Sequence, residues 1–201
     1  MRRLLPVVLV SLALAACAAE VSPQQAPVLE QKTAFTGTAT TVNPAQSSIT
    51  FVGKSSIVDH PGRFERFTAT LTPDATTPAD LSKASFKATI DLTSVKTDSE
   101  GLDGHMQKED FFDTAKFPEA SFVSTSIVAE PEDGANHYDI IGDLAIKGVT
   151  KSVTAEALIT DEGLTATFEI PRKEYGVAKD SYKDKLLDDM VPVTVTLVFT
   201  K

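Results

Sequence analysis

The chain has 201 residues, with 19 basic side chains against 28 acidic ones, a formal net charge of −9 and one cysteine. That acidic balance excludes nucleic acid as the main partner, because a phosphate-binding surface wants an excess of Lys and Arg. A lone cysteine excludes an intrachain disulfide, so the core alone must stabilise the fold, and a chain of this size suits one domain.

Met1, Arg2 and Arg3 form a short positive start, and Leu4 to Ala16 is an apolar run. It is too short for a hydrocarbon core that needs about 20 residues, so residues 1–16 read as a targeting segment outside the fold. Ala13-Leu14-Ala15 would serve an ordinary signal-peptide site, but Leu14-Ala15-Ala16-Cys17 resembles the lipobox of bacterial lipoproteins. The resemblance implies cleavage after Ala16 and lipid attachment at Cys17, with acyl chains that exceed the marginal anchoring of a single chain. Ala18 stands where an Asp would favour inner-membrane retention, which tips the expectation toward the periplasmic face of the outer membrane. Residues 17–37, with Pro23, Pro27 and several Gln, Ala and Ser residues, read as lipidated cysteine and flexible tether, although Pro27 to Lys32 could also form a first strand. Residues 38–201 remain for the folded domain.

Within that domain, two-residue alternation dominates. Ser47 to Val52 sets Ile49 and Phe51 on one face, and Phe67 to Leu71 repeats the pattern. Ala84 to Leu92 aligns Phe86, Ala88, Ile90 and Leu92. Ser121 to Ala129 is ambiguous, with Val123, Thr125 and Ile127 on one side but Phe122 and Val128 on the other. Tyr138 to Ile146, Val153 to Ile159, Leu164 to Ile170 and Val191 to Phe199 complete the set. Alternation rich in Thr and Val predicts antiparallel strands with one packed face and one wet face. Asp133-Gly134, Lys147-Gly148 and Asp161-Glu162-Gly163 supply turns between them. About eight such strands in one domain predict an all-β barrel or sandwich.

One interval breaks the pattern. Thr97-Asp98-Ser99-Glu100 has the form of a capping box, and Leu102, Met106, Phe111 and Phe112 follow at spacings that a short helical turn holds on one side. Gly101 and Gly104 keep that helix short. So apolar a loop predicts a cover for one end of the barrel, either as plain core plugging or as a gate for a ligand.

Leu102 to Pro118, reading LDGHMQKEDFFDTAKFP, resembles the signature stretch of the YceI-like family. Phe122 to Thr125, Gly142 to Val153 (GDLAIKGVTKSV), Val42 to Phe51 and Arg172 to Val177 (RKEYGV) are similar to further family segments in the expected order, so the likeness covers roughly residues 40–200. Leu102 replaces the usual arginine, Met106 the usual leucine and Ala145 the usual threonine, and the segment around His60 is shorter than in many relatives. The resemblance implies an extended lipocalin-like antiparallel β-barrel with a short helical loop, around an apolar channel that holds a polyisoprenoid or other long-chain amphiphile.

A channel of that kind binds through area alone, at about 25 cal/mol per Å² of apolar surface removed from water. The candidate liners are Phe86, Ile90, Phe111, Phe112, Phe122, Ile140 and Phe168; for each, ordinary core packing is an equal alternative. Asp103 and His105 are candidates for a headgroup grip, with tethering of the loop as the competing role. His60, His105 and His137 are too scattered for a metal motif, and neither a G-x-S-x-G elbow nor an H-E-x-x-H pair occurs. Asp180, Lys183, Asp184, Lys185, Asp188 and Asp189 read as a solvated charged loop. The expectation is a non-enzymatic protein of the cell envelope, facing the periplasm, with no cofactor or metal and a lipid as ligand. An envelope stress or interaction protein with a filled barrel is the alternative, and the sequence leaves open whether it is a homodimer.

Overall fold

The computed structural model describes residues 35–38, 40–179 and 186–200. The targeting segment, Cys17, the tether up to residue 34, and Asp180, Lys183, Asp184 and Lys185 lie outside the described residues.

In chain order the elements are β1 (Thr40–Val42), β2 (Ser48–Gly53), β3 (His60–Phe64), β4 (Phe67–Thr72), β5 (Ser85–Asp91), β6 (Val95–Thr97), α1 (Glu100–Met106), β7 (Glu119–Ala129), β8 (His137–Ile146), β9 (Val149–Ile159), β10 (Gly163–Pro171) and β11 (Met190–Thr200). All strand pairs are antiparallel, in the order β1-β4-β5-β7-β8-β9-β10-β11, and β1 pairs back onto β11 to close an eight-stranded barrel. Closure pairs the first strand of the ring with the last, which removes the free outer edges that template edge-to-edge aggregation.

The remaining strands extend the ring at one end. β1 and β2 follow each other along β11, with Val42 opposite Phe199 and Ser48 opposite Thr196. β4 and β3 pair with them in turn, and β5 and β6 pair with β4 and β3. Each couple is thus one long strand with a break. The third break is a single 3-10 turn, Leu92–Ser94, started by the Asp91 carboxylate accepting from Thr93 N–H. The Glu65 and Arg66 N–H groups donate to Ser94 O and Oγ at 3.2 and 3.0 Å, so the neighbouring breaks satisfy each other's backbone.

The ambiguous strand is resolved by a bulge. In β7 the register against β8 shifts between Ser124 and Ser126, so Thr125 is the extra residue. One inserted residue reverses the alternation, which turns Phe122 inward before the bulge and Ile127 inward after it. Val123 and Val128 then face out.

Two boundaries differ from the expectation. Phe35 is buried in the core and Thr36 donates from its N–H and hydroxyl to Asp161 Oδ1 at 2.7 and 3.1 Å, so the packed body begins upstream of residue 38. A single aromatic in a Thr-rich stretch has no period to announce it. The capping box does not form either. The N-cap is Ser99, without a side-chain cap, because Thr97 belongs to β6 and its hydroxyl donates to Ser99 O and Asp103 Oδ1.

Candidate functional site

The two ends of the barrel are built differently. At the closed end, where the chain enters at Phe35, the inward faces of β4, β5, β8, β9, β10 and β11 meet. Leu71, Leu81, Ile127, Ile140, Ile159, Leu164 and Leu197 are fully buried there. Ala69, Ala88, Ala155 and Ala166 alternate with Phe86 and Phe122, whose rings lie 6.1 Å apart, and only a void of about 70 Å³ survives between them. Gly142 sits under the Phe122 ring, which occupies the space a Cβ would need.

Toward the other end the wall widens. β9 and β10 pair only from Ile159–Leu164 to Glu156–Thr167, although β9 begins at Val149 and β10 runs on to Pro171. β6 pairs with β3 but not with β7, and α1 with the turns to Pro118 fills that side. The longer perimeter encloses an open-mouthed cavity of about 350 Å³ with an almost wholly apolar wall. Ile49, Ile90, Leu144 and Phe168 line both this chamber and the small void, so the two share one axis. Phe51, Phe64 and Phe112 form an aromatic ladder along the chamber, with centroids 5.5 and 6.0 Å apart.

The candidate residues separate accordingly. Ile90, Phe111, Phe112 and Phe168 lie on the chamber wall, while Phe86, Phe122 and Ile140 lie around the small void beneath it. Asp103 and His105 line neither. Asp103 Oδ1 accepts from Thr97 N–H at 2.6 Å and from its hydroxyl at 2.8 Å, and Oδ2 accepts from Lys96 Nζ at 3.2 Å. Burial would raise its pKa, but these hydrogen bonds from Thr97 and Lys96 outweigh it and hold the carboxyl below the ordinary range. His105 Nε2 meets Asp110 Oδ2 at 2.7 Å, and its ring stands edge-on to Phe111 at 5.1 Å. Both polar residues therefore fix the helical loop whose aromatic side chains face the chamber.

Residues from the other signature segments hold the mouth together. Lys147, at φ +51 in the tight β8–β9 turn, donates from Nζ to Glu109 O at 2.7 Å and Gly176 O at 2.9 Å. Arg172 is buried on the chamber wall and donates to the carbonyls of Val177, Ala178, Leu187 and Asp188 at 2.9 to 3.1 Å. Gly176, at φ +69, ends the 3-10 turn Arg172–Tyr175 so that Val177 N–H returns to Arg172 O. Asp189 does more than solvate the charged loop, since its Oδ1 accepts from Lys173 N–H at 3.0 Å.

Single-sequence reading missed the rim. Ser55 bridges to Leu187, with Ser56 N–H donating to Leu186 O and Asp188 N–H to Lys54 O, so two loops form one lip that carries Ile57, Val58 and Leu186. Two adjacent apolar residues, Ile57-Val58, after Ser55-Ser56 were the available signal. Among the described residues, no three His, Cys, Asp or Glu side chains converge as a metal site.

A closed antiparallel barrel with an apolar chamber open at one end defines the extended lipocalin-like class. Residues 41–199 match the family model described as the YceI-like domain, and the chain belongs to that family. It is 41% identical over 102 residues to Protein YceI of Escherichia coli O17:K52:H18, which covers 51% of this chain and 50% of that protein. The chain thus spans about half the length of this and other curated YceI proteins that it matches. Among solved structures, Burkholderia cenocepacia BcnA superposes with a TM-score of 0.70 at 28% identity, covering 79% of this chain and 99% of that one. A polyisoprenoid binding domain from Saccharophagus degradans, implicated in plant cell wall breakdown, shares the fold with a TM-score of 0.56 at 17% identity, covering 84% and 98%.

Proposed function

We propose that this protein binds a polyisoprenoid or another long-chain amphiphilic lipid in the bacterial envelope and carries or stores it there without chemical conversion. The observation that carries the reading is the chamber of about 350 Å³, apolar along its wall and open at the rim. Its size falls within the roughly 300–1,000 Å³ of small-molecule sites. An aliphatic tail gains free energy there by losing water contact and needs no specific polar partner. The Saccharophagus domain, named for polyisoprenoid binding, supports the ligand class through the shared fold.

The same reading places the chain at a membrane through acyl groups on Cys17, facing the periplasm, with the outer membrane preferred. Seventeen residues separate Cys17 from Phe35. Fully extended they span at most about 60 Å, whereas a strand of β11's length spans about 37 Å. The tether is therefore long enough for either end of the barrel to meet the anchoring bilayer.

Organic extraction of natively purified protein should release a long-chain amphiphile in near-stoichiometric amount, identified by mass spectrometry. Repeated preparations with only trace lipid would defeat the carrier reading. In membrane fractionation, Cys17→Ser should move the protein to the soluble fraction, and unchanged association would defeat the anchor.

A further inference from the structure

The lip of the chamber combines three properties. First, its apolar side chains are bare: Ile57 is 76% exposed, Val58 51% and Leu186 38%, and all three also line the cavity. The apolar surface therefore runs without interruption from the interior to the outside. Second, the N–H groups of the turn that carries Ile57 and Val58 are engaged within the lip from Ser55 to Val58. Ser55 Oγ accepts from Ile57 N–H at 3.2 Å and Val58 N–H at 3.0 Å, and donates to Val58 O at 2.6 Å. Ser56 N–H is taken by Leu186 O and Ser55 N–H by Asp59 Oδ1 at 3.3 Å. Third, the tip bears no charge between Lys54 and Asp59, one of each sign.

Water-facing turns normally put polar side chains outward. A turn whose N–H groups are already bonded and that bares Ile and Val costs little to move into an environment without water. We propose that this lip is a membrane-docking surface: Ile57, Val58 and Leu186 enter the headgroup and acyl boundary of a bilayer and join the chamber to its hydrocarbon. The proposal rests on the lipid-binding reading and adds the route of transfer. A poorly soluble chain then slides between bilayer and chamber without crossing water. The uncharged Ile57–Val58 tip needs no anionic lipid, so a neutral bilayer suffices.

The test uses the full chain carrying Cys17→Ser, which removes its only cysteine. Ile57→Cys, or Glu132→Cys at the closed end as a control, then takes an environment-sensitive fluorophore. On addition of phosphatidylcholine vesicles, the label at 57 should shift to the blue and the label at 132 should not. Adding Val58→Asp and Leu186→Asp should weaken vesicle partitioning roughly tenfold or more. Binding of parinaric acid in the chamber, read separately without vesicles, reports the lipid-binding reading itself. Unchanged emission at 57 while parinaric acid still binds would overturn docking and leave the binding function standing. A blue shift at 57 that needs no vesicles and grows with protein concentration would assign the lip to a second copy of the chain and also overturn the proposal.

Discussion

The closed end and the open end of this barrel use the same eight long strands and the same inward alternation, yet one is filled and the other hollow. At the closed end every strand pairs with its neighbour, so the ring stays narrow and inward side chains of ordinary size fill it. At the open end the β9–β10 seam is splayed and α1 with its following turns is inserted beside β6, so the perimeter grows while the side chains do not. The difference lies in perimeter more than composition: Phe, Ile and Leu line both halves.

Stability should expose the contrast most strongly. Ile159 is fully buried at the closed end, whereas Ile170 borders the chamber. Ile159→Ala should lower unfolding free energy by about 2–5 kcal/mol in urea denaturation, because it leaves a cavity in a packed core. Ile170→Ala should cost markedly less, since part of its surface already faces a void. Equal losses would mean that the two halves pack alike.

The next effect concerns how the open end is held in shape. Asp103→Ala should cost about 1.5–3 kcal/mol, the scale of a charged hydrogen-bond group lost from partners that are part-buried. Its folded pKa is depressed, so the stabilisation is fully present above the unfolded carboxyl value near ~3.9 and fades as pH falls through the lower folded value. The variant should therefore show a weaker loss of stability below about pH 4 than the parent. A pH–denaturation series with parallel curves would remove Asp103 from that role.

The smallest expected stability change sharpens the boundary between the halves. Phe122→Leu should cost about 1–1.5 kcal/mol, toward the small end of large-to-small core changes, and it enlarges the void beneath the chamber beside Ala88 and Ala155. Extracted ligands should shift to longer chains by mass spectrometry. An unchanged length distribution would mean that Phe86 and Phe122 do not set the depth of the site.

These contrasts explain what the residues reveal alone. Alternation in β5, β8, β10 and β11 reports which side chains point inward, and it does so at both ends, which is why the barrel and most of its wall are legible. It cannot report how far apart two walls stand. That distance depends on non-local pairing: where β9 leaves β10, and which side of β6 is taken by a helix. The β7 bulge was visible only as a conflict between Phe122 and Ile127, because one extra residue reverses every later position. Asp103 and His105 carry chemistry suited to a headgroup, but Thr97, Lys96 and Asp110 engage them first. The lip escaped because Ile57 and Val58 have no periodic neighbours, and their exposure is a property of the turn that Ser55 closes.

A crystal structure of natively purified protein tests the central claim most directly. The account predicts continuous ligand density along the chamber, entering between Ile57 and Leu186, passing Phe112 and ending above the small void lined by Phe86 and Phe122. A chamber collapsed onto its own side chains, or filled with ordered water while lipid density lies elsewhere, would contradict it.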